Sequence, residues 1–342
     1  MLFSYSNVLI FCPEVPSGGP EALHQLAYMI RQHGGSAQMV YTGPKSNAYI
    51  DGDTLHCTLS PETTIQRHFS AYMPIVAENA KLDDKTLLIY PEVMTRQAKE
   101  WPVAQFGTHR AVWWLSVDSA FHCNESFCEE EYRSEYFKNS SLIHLYQSAH
   151  AREFLKANGA QNYYPLFDFT DRDFVFQSQI KSGFSEIEAR RKTICFFPRK
   201  GGPLAELFVK SFDWEAIGVE FLPIQDMTKI QVRDALFRSK IYIDFGFHPG
   251  KDRVPREAAI AGSLILLMAV GAAKQFEDHP LDRYYLFNEQ EVASGDLQKK
   301  VLDMIENCKK HYEKQRIYRQ SVLWEHEQFS MQVRSLFFSG AR

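Results

Sequence analysis

Two kinds of hydrophobic pattern alternate along the chain. Val8–Cys12 is a continuous apolar run of strand length. After a turn rich in Pro and Gly, Leu23, Leu26, Ala27 and Ile30 recur at i, i+3, i+4 and i+7, the stripe of an amphipathic helix. Gly34 and Gly35 end that helix, and Ala37–Tyr41 opens a second strand. Thr86–Tyr90, Arg110–Ser116 and Ser141–Gln147 predict further strands, and Ala149–Ala157 a helix stopped by Asn158 and Gly159. From Thr170 to Arg191 the chain turns polar and charged, and the alternation then restarts. Thr193–Phe197, Val219–Leu222, Ile241–Phe245 and Ser263–Met268 predict strands. Between them lie helices over Pro203–Phe212, from Thr228, and over Pro255–Ala261, the last closed by Gly262. Beyond Ser294 the pattern is mostly helical. Repeated strand–helix alternation implies the α/β class. The expected division is residues 1–170, a crossing over 171–191, and residues 192–342, with the C-terminal helices as candidates to return to the first domain.

Composition narrows the function classes. The chain has 342 residues, 45% of them hydrophobic, enough for two domains with cores of their own. A formal net charge of −4 gives no global basic field to hold nucleic acid or an anionic membrane, so local basic clusters carry the signal. The six cysteines are scattered and show no zinc-ligand spacing, which points to a reducing, cytoplasmic setting. The first twenty residues lack a basic segment and are broken by Pro13 and Pro16, so they read as a first strand rather than a secretion signal. No apolar run reaches the length of a membrane span, leaving at most a peripheral association with an inner membrane.

The most informative stretch is Asp244–Gly262, DFGFHPGKDRVPREAAIAG. A strand ends, a loop with Gly246 and Gly250 follows, and a helix opens with Pro255 expected at its first position. Lys251, Arg253 and Arg256 bring three positive charges to the helix start, whose unpaired N–H groups and dipole favour an anion. Glycines let the backbone approach a ligand closely. Strand end, glycine loop, cations and helix start together describe a phosphate site at the carboxyl end of a parallel sheet. A second basic turn, Arg199-Lys200-Gly201-Gly202, follows the strand at Thr193–Phe197 and offers a planar fork and a point charge to phosphate oxygens. A solvated surface turn is the plain alternative for both clusters.

These two segments resemble the donor-binding parts of GT-B glycosyltransferases. There, a helix reading roughly P-x-E-A-x-A-x-G follows the phosphate loop, and PREAAIAG here is similar to it. The resemblance implies two facing Rossmann-like domains with a cleft between them, and a nucleoside-diphosphate sugar as donor. It implies that Glu257 holds the donor ribose, and that Arg199, Lys200, Gly201, Gly250, Lys251, Arg253 and Arg256 surround the diphosphate. His248 stands either as a donor contact or as a loop-packing residue. Many retaining members carry a Glu eight positions before the ribose ligand, where this chain has Pro249, so retaining stereochemistry does not carry over. Through GGPEALHQL, WWLSVD and HPGKDRVPREAA the chain also resembles glycosyltransferase-like proteins of bacterial surface-polysaccharide clusters. That implies a saccharide or glycoconjugate acceptor.

The N-terminal half offers weaker signals. Gly18 and Gly19 stand before a helix expected to begin at Pro20; the family resemblance turns such a loop toward acceptor and donor phosphates, while a tight turn explains it equally. Glu92 and Asp118 each follow a strand end, where a carboxylate can take the proton of an acceptor hydroxyl. Asp118 is the preferred candidate base, with helix capping as its alternative. Trp113 and Trp114 either line an acceptor cleft or fill a buried strand. No D-x-D pair follows a strand end, so transfer without a metal or other cofactor is expected. A nucleotide-binding module without turnover and a GT-B-like epimerase are the rival readings. The absence of G-x-G-x-x-G after either first strand argues against a dehydrogenase.

Overall fold

The computed structural model describes residues 5–181 and 184–338. Its contacts separate the described residues up to Asp168, together with those from Glu327 onward, from the unit Phe169–His326. Within the stretch 171–191, Ser182 and Gly183 lie outside the described residues. The rest of that stretch carries the helices Arg172–Lys181 and Phe184–Ala189, in the second unit.

The first unit contains β1 (Asn7–Pro13), β2 (Ala37–Thr42), β3 (Ser46–Asp51), β4 (Thr54–Leu59), β5 (Ala80–Lys81), β6 (Thr86–Pro91), β7 (His109–Trp114), β8 (Leu142–Tyr146) and β9 (Tyr163–Pro165). Six of these form a parallel sheet in the order β2-β1-β6-β7-β8-β9. Its strands are continuous apolar runs because a parallel sheet is covered on both faces; Leu9, Ile10, Phe11, Leu88 and Ile89 are fully buried. The Gly18–Gln32 helix buries its stripe of Leu23, Leu26, Ala27 and Ile30. The helix Glu325–Phe338 supplies this unit with Phe329, stacked at 6.3 Å on Trp113, and Gln332, whose side-chain oxygen accepts the Phe167 N–H at 2.9 Å.

The second unit contains β10 (Thr193–Phe196), β11 (Glu220–Pro223), β12 (Ile241–Asp244), β13 (Leu264–Met268) and β14 (Leu286–Phe287). They pair in parallel in the order β11-β10-β12-β13-β14. Each sheet reverses its strand order once, between β1 and β6 in the first unit and between β10 and β12 in the second. Ligands of open α/β sheets bind in the crevice that such a reversal leaves at the carboxyl ends of the strands.

Two helix starts differ from the expectation. The helices Gly18–Gln32 and Arg253–Ile260 begin before their prolines, so Pro20 and Pro255 are third helical residues rather than first. The shift carries no hydrogen-bond cost, because the first N–H groups of a helix have no intrahelical acceptor. An antiparallel hairpin of β3 and β4, extended by β5, was absent from the sequence reading.

Candidate functional site

At the reversal point of the second sheet, the loop after β10 and the loop after β12 interlock through two glycines. Gly201 has a left-handed backbone, with φ 68°, and a Cβ there would fall 2.1 Å from the Phe245 carbonyl oxygen. Gly246 has the complementary need, since a Cβ on it would fall 2.3 Å from the Lys200 Cβ. No other residue permits either approach.

Passing over Gly246, Lys200 reaches Asp252, with Nζ 2.8 Å from Oδ2. The same oxygen lies 2.9 Å from His248 Nδ1. Asp252 occupies the N-cap position of the Arg253–Ile260 helix but makes no side-chain cap bond; its carboxylate is turned to Lys200 and His248 instead. Burial by itself raises the Asp252 carboxyl. The His248 hydrogen bond and the Lys200 charge outweigh that and hold it below the usual carboxylate range. Asp244 shapes the same loop, accepting the Tyr242 hydroxyl at 2.8 Å and the Gly246 N–H at 2.9 Å. Asp244, His248 and Asp252 thus bring three possible metal-ligating atoms within 4.8 Å of one another, and the Lys200 ammonium already lies against this group.

The cations expected around a diphosphate divide into two sets. Arg199 is exposed, 2.6 Å from Asp226. Arg199 also lines a cleft of about 220 Å³ beyond the ends of β10 and β11, with Phe197, Ile224, Gln225 and Met227 among its walls. Lys200 and Arg253 are partly exposed, and Arg253 Nε lies 3.0 Å from Glu257 Oε1. Lys251 and Arg256, by contrast, are buried. Each lies 2.9 Å from Glu325, which also accepts the N–H and hydroxyl of Thr170. Arg256 further donates to the carbonyls of Lys251 and Asp252, tying the helix start to the loop before it. A buried cation needs a desolvated partner, and Glu325 supplies one for both. That partner is remote in sequence, and no motif marked it.

His248 is fully buried between these sets, its ring 5.9 Å from that of His279, and its Nε2 has no partner among the described residues. Gly250 is buried as well and accepts the Asp252 N–H at 2.9 Å.

The reversal point of the first sheet holds the remaining expected residues. Gly18 and Gly19 are the first two residues of their helix, not a loop before it. Among the described residues, a Cβ on Gly18 would meet nothing within 4 Å, and one on Gly19 only Leu115 Cδ1 at 3.8 Å. Asp118 sits in the first turn of the Val117–Cys123 helix and is half-buried. Trp113 and Trp114 are fully buried, their indole N–H groups donating to the Leu166 carbonyl and His144 Nδ1; they are core residues. Glu92, just past β6, is buried and accepts the Leu115 N–H at 3.1 Å. Burial pushes its carboxyl up to about 7 despite the nearby backbone N–H groups of Leu115 and Ser116.

No known protein family matches the sequence, and no curated protein matches it. Solved structures do. Sucrose-phosphate synthase from Thermosynechococcus elongatus aligns over 97% of this chain and 98% of its own, with TM-score 0.60 at 12% identity. HepE of Anabaena, solved in complex with UDP and glucose, aligns over 97% and 99%, with TM-score 0.65 at 11% identity. Trehalose 6-phosphate synthase from Burkholderia multivorans gives 0.55 at 9% identity, over 97% and 99%. These neighbours are GT-B glycosyltransferases. Two Rossmann-like units matched along nearly the whole chain settle the architecture: this protein has the GT-B fold.

Proposed function

We propose that the protein transfers a sugar from a nucleoside-diphosphate donor to an acceptor hydroxyl. The observation that carries this reading is the interlock of two basic, glycine-dependent loops at the reversal point of the second sheet. Lys200, Arg199, Arg253 and the start of the Arg253–Ile260 helix bring positive charge to that point. The cleft walled by Phe197, Ile224, Gln225 and Met227 has the apolar walls and single amide that suit a nucleobase, next to Arg199. Glu257, one turn into the helix, is the candidate ribose ligand. HepE, which shares the fold, was solved with UDP-glucose.

In the transfer step the bond from the anomeric carbon to the diphosphate breaks, and its electron pair stays on the departing oxygen. Preorganised cations and helix-start N–H groups stabilise that charge more in the transition state than in the ground state. Lys200 stands against the Asp244–His248–Asp252 group where a divalent ion would otherwise sit. This supports transfer without a metal. The role we assign is synthesis of a surface polysaccharide or glycoconjugate in the cytoplasm, with a saccharide-bearing acceptor.

Calorimetric titration of the full chain with UDP, ADP and GDP, and then with their glucose conjugates, tests the reading. One nucleoside diphosphate is expected to bind with chelator present, and Lys200→Ala to weaken it at least tenfold. Absence of binding by all of them, or binding restored only by magnesium or manganese, counts against the proposed site.

A further inference from the structure

The second unit has another opening, at the end of its sheet away from the interlocked loops. Its volume is about 600 Å³, within the size range of small-molecule sites. Thr193, which lines it, is the first residue of β10. Glu220, Phe221 and Leu222 line it too and open β11, with Glu220 paired to Thr193 in the parallel register. These residues therefore mark the amino end of the sheet, whereas Arg199, Lys200 and Gly246 follow the carboxyl ends of β10 and β12. The helix Lys229–Arg238 crosses back from β11 to the start of β12, and its last two residues, Phe237 and Arg238, complete the wall at the amino end. A molecule held here sits apart from the donor loops of the same unit.

The aromatic walls are held by packing of their own. Phe237 stacks on Phe174 at 5.7 Å, and Phe221 meets Trp214 edge-on at 5.7 Å. With Leu222 they give the opening a fixed apolar face. Its charge is unbalanced. Arg190, Arg191 and Arg238 line it, against Glu220 as the one carboxylate among the described lining residues, in a chain whose formal net charge is −4. The fold accounts for Arg190, which donates to the carbonyls of Ser239 at 2.9 Å and Ala261 at 2.6 Å, the residues that end two helices. Arg238 Nε donates to the Asp234 carbonyl of its own helix at 3.2 Å, and no carboxylate pairs with it among the described residues. Arg191 is exposed, and its guanidinium has no hydrogen-bond or ion-pair partner among the described residues. Two planar forks are thus left for an oxyanion beside a preformed apolar face.

We propose that this opening is a second binding site, for a small organic anion with an apolar body. Arg191 and Arg238 hold its carboxylate or phosphate, and its hydrocarbon lies on Phe221, Leu222 and Phe237. Apolar walls supply the burial, and the few polar groups fix the orientation. Glu220 opposes any further negative charge, which sets this ligand class apart from a nucleoside diphosphate. The site lies wholly within the second unit and goes beyond the transferase reading, on which it does not depend.

The test is calorimetric titration of the full chain with α-naphthyl phosphate and with α-naphthoate, and with inorganic phosphate as the control for charge alone. One of the two aromatic anions is expected to bind at a single site, about tenfold or more tighter than inorganic phosphate. Which of them binds tells a phosphate ligand from a carboxylate one. Replacing both Arg191 and Arg238 by Gln should weaken that binding about tenfold or more, because each removes a hydrogen bond to a charged group. Both arginines are exposed, so the urea midpoint of the double variant should match wild type. If the double variant loses its cooperative transition, Arg191→Gln alone, at a side chain without a described partner, carries the comparison. Excess UDP should leave the affinity within about twofold. The proposal is overturned if neither aromatic anion binds, if inorganic phosphate binds as tightly, if UDP displaces the probe, or if the arginine variant binds it like wild type.

Discussion

At the residue scale, the Arg253–Ile260 helix start contains two kinds of cation that sequence cannot tell apart. Lys251 and Arg256 both pair with the buried carboxylate of Glu325. Removing the anion takes a desolvated partner from both cations. Glu325→Gln is expected to lower unfolding free energy by about 3 kcal/mol, read as a fall in urea midpoint at unchanged slope. Lys200, a third exposed, is different: its pair with Asp252 is partly screened, so Lys200→Ala should cost little stability but much turnover. Equal stability losses from both variants would erase the distinction. The basic clusters and Glu257 were legible because strand-end loops leave a pattern in sequence. The partners that decide which cation is available were not, because Glu325 and Asp226 carry no local signature. Trp113 and Trp114 show the same limit: their strand was legible, but whether it faced ligand or core depended on His144 and Leu166.

At the element scale, long apolar strands and striped helices were read to within a few residues, because burial on both faces leaves an unbroken apolar run. The β3–β4 hairpin was missed because its first strand alternates half-buried and exposed residues and shows no apolar run. The segment after Thr170 was read as a polar crossing, yet it forms helices. Phe174 of the first of these stacks on Phe237 at 5.7 Å, a contact that composition does not announce. The interlocked loops give this scale its prediction. Gly201→Ala forces a left-handed residue and a methyl onto the Phe245 carbonyl, and should cost about 2 kcal/mol or more and weaken nucleotide binding. Gly18→Ala, in open space at a helix start, should fall within about 0.5 kcal/mol of wild type. Parallel chemical denaturation and calorimetry of the two variants checks this, and equal behaviour would contradict the interlock.

At the scale of the whole molecule, buried titratable groups set opposing responses to pH. Burial lowers His24 to about 4 and His144 to about 3. His279 is also lowered, by burial first and then by His248 and Lys251. The unfolded chain holds histidines near 6.5. Between that value and the folded ones it binds more protons than the native state, so acid favours unfolding. These contributions are fully present above about pH 6.5 and fall as pH drops, those of His24 and His144 by about 2 kcal/mol each at pH 5. Glu92 works the other way. Its folded value near 7 exceeds the unfolded carboxyl value, so its ionisation destabilises the fold as pH rises from about 4.5 to 7. Going from pH 7.5 to 5 therefore sets three losses against one gain of about 2 kcal/mol, and stability should fall on balance. Glu92→Gln removes the gain. The variant should be more stable than wild type at pH 7.5 and lose stability more steeply toward pH 5. Urea midpoints measured at half-unit pH steps for both proteins decide this. A wild-type midpoint that rises on acidification, or a variant whose curve runs parallel to wild type, would show that burial does not hold these groups neutral.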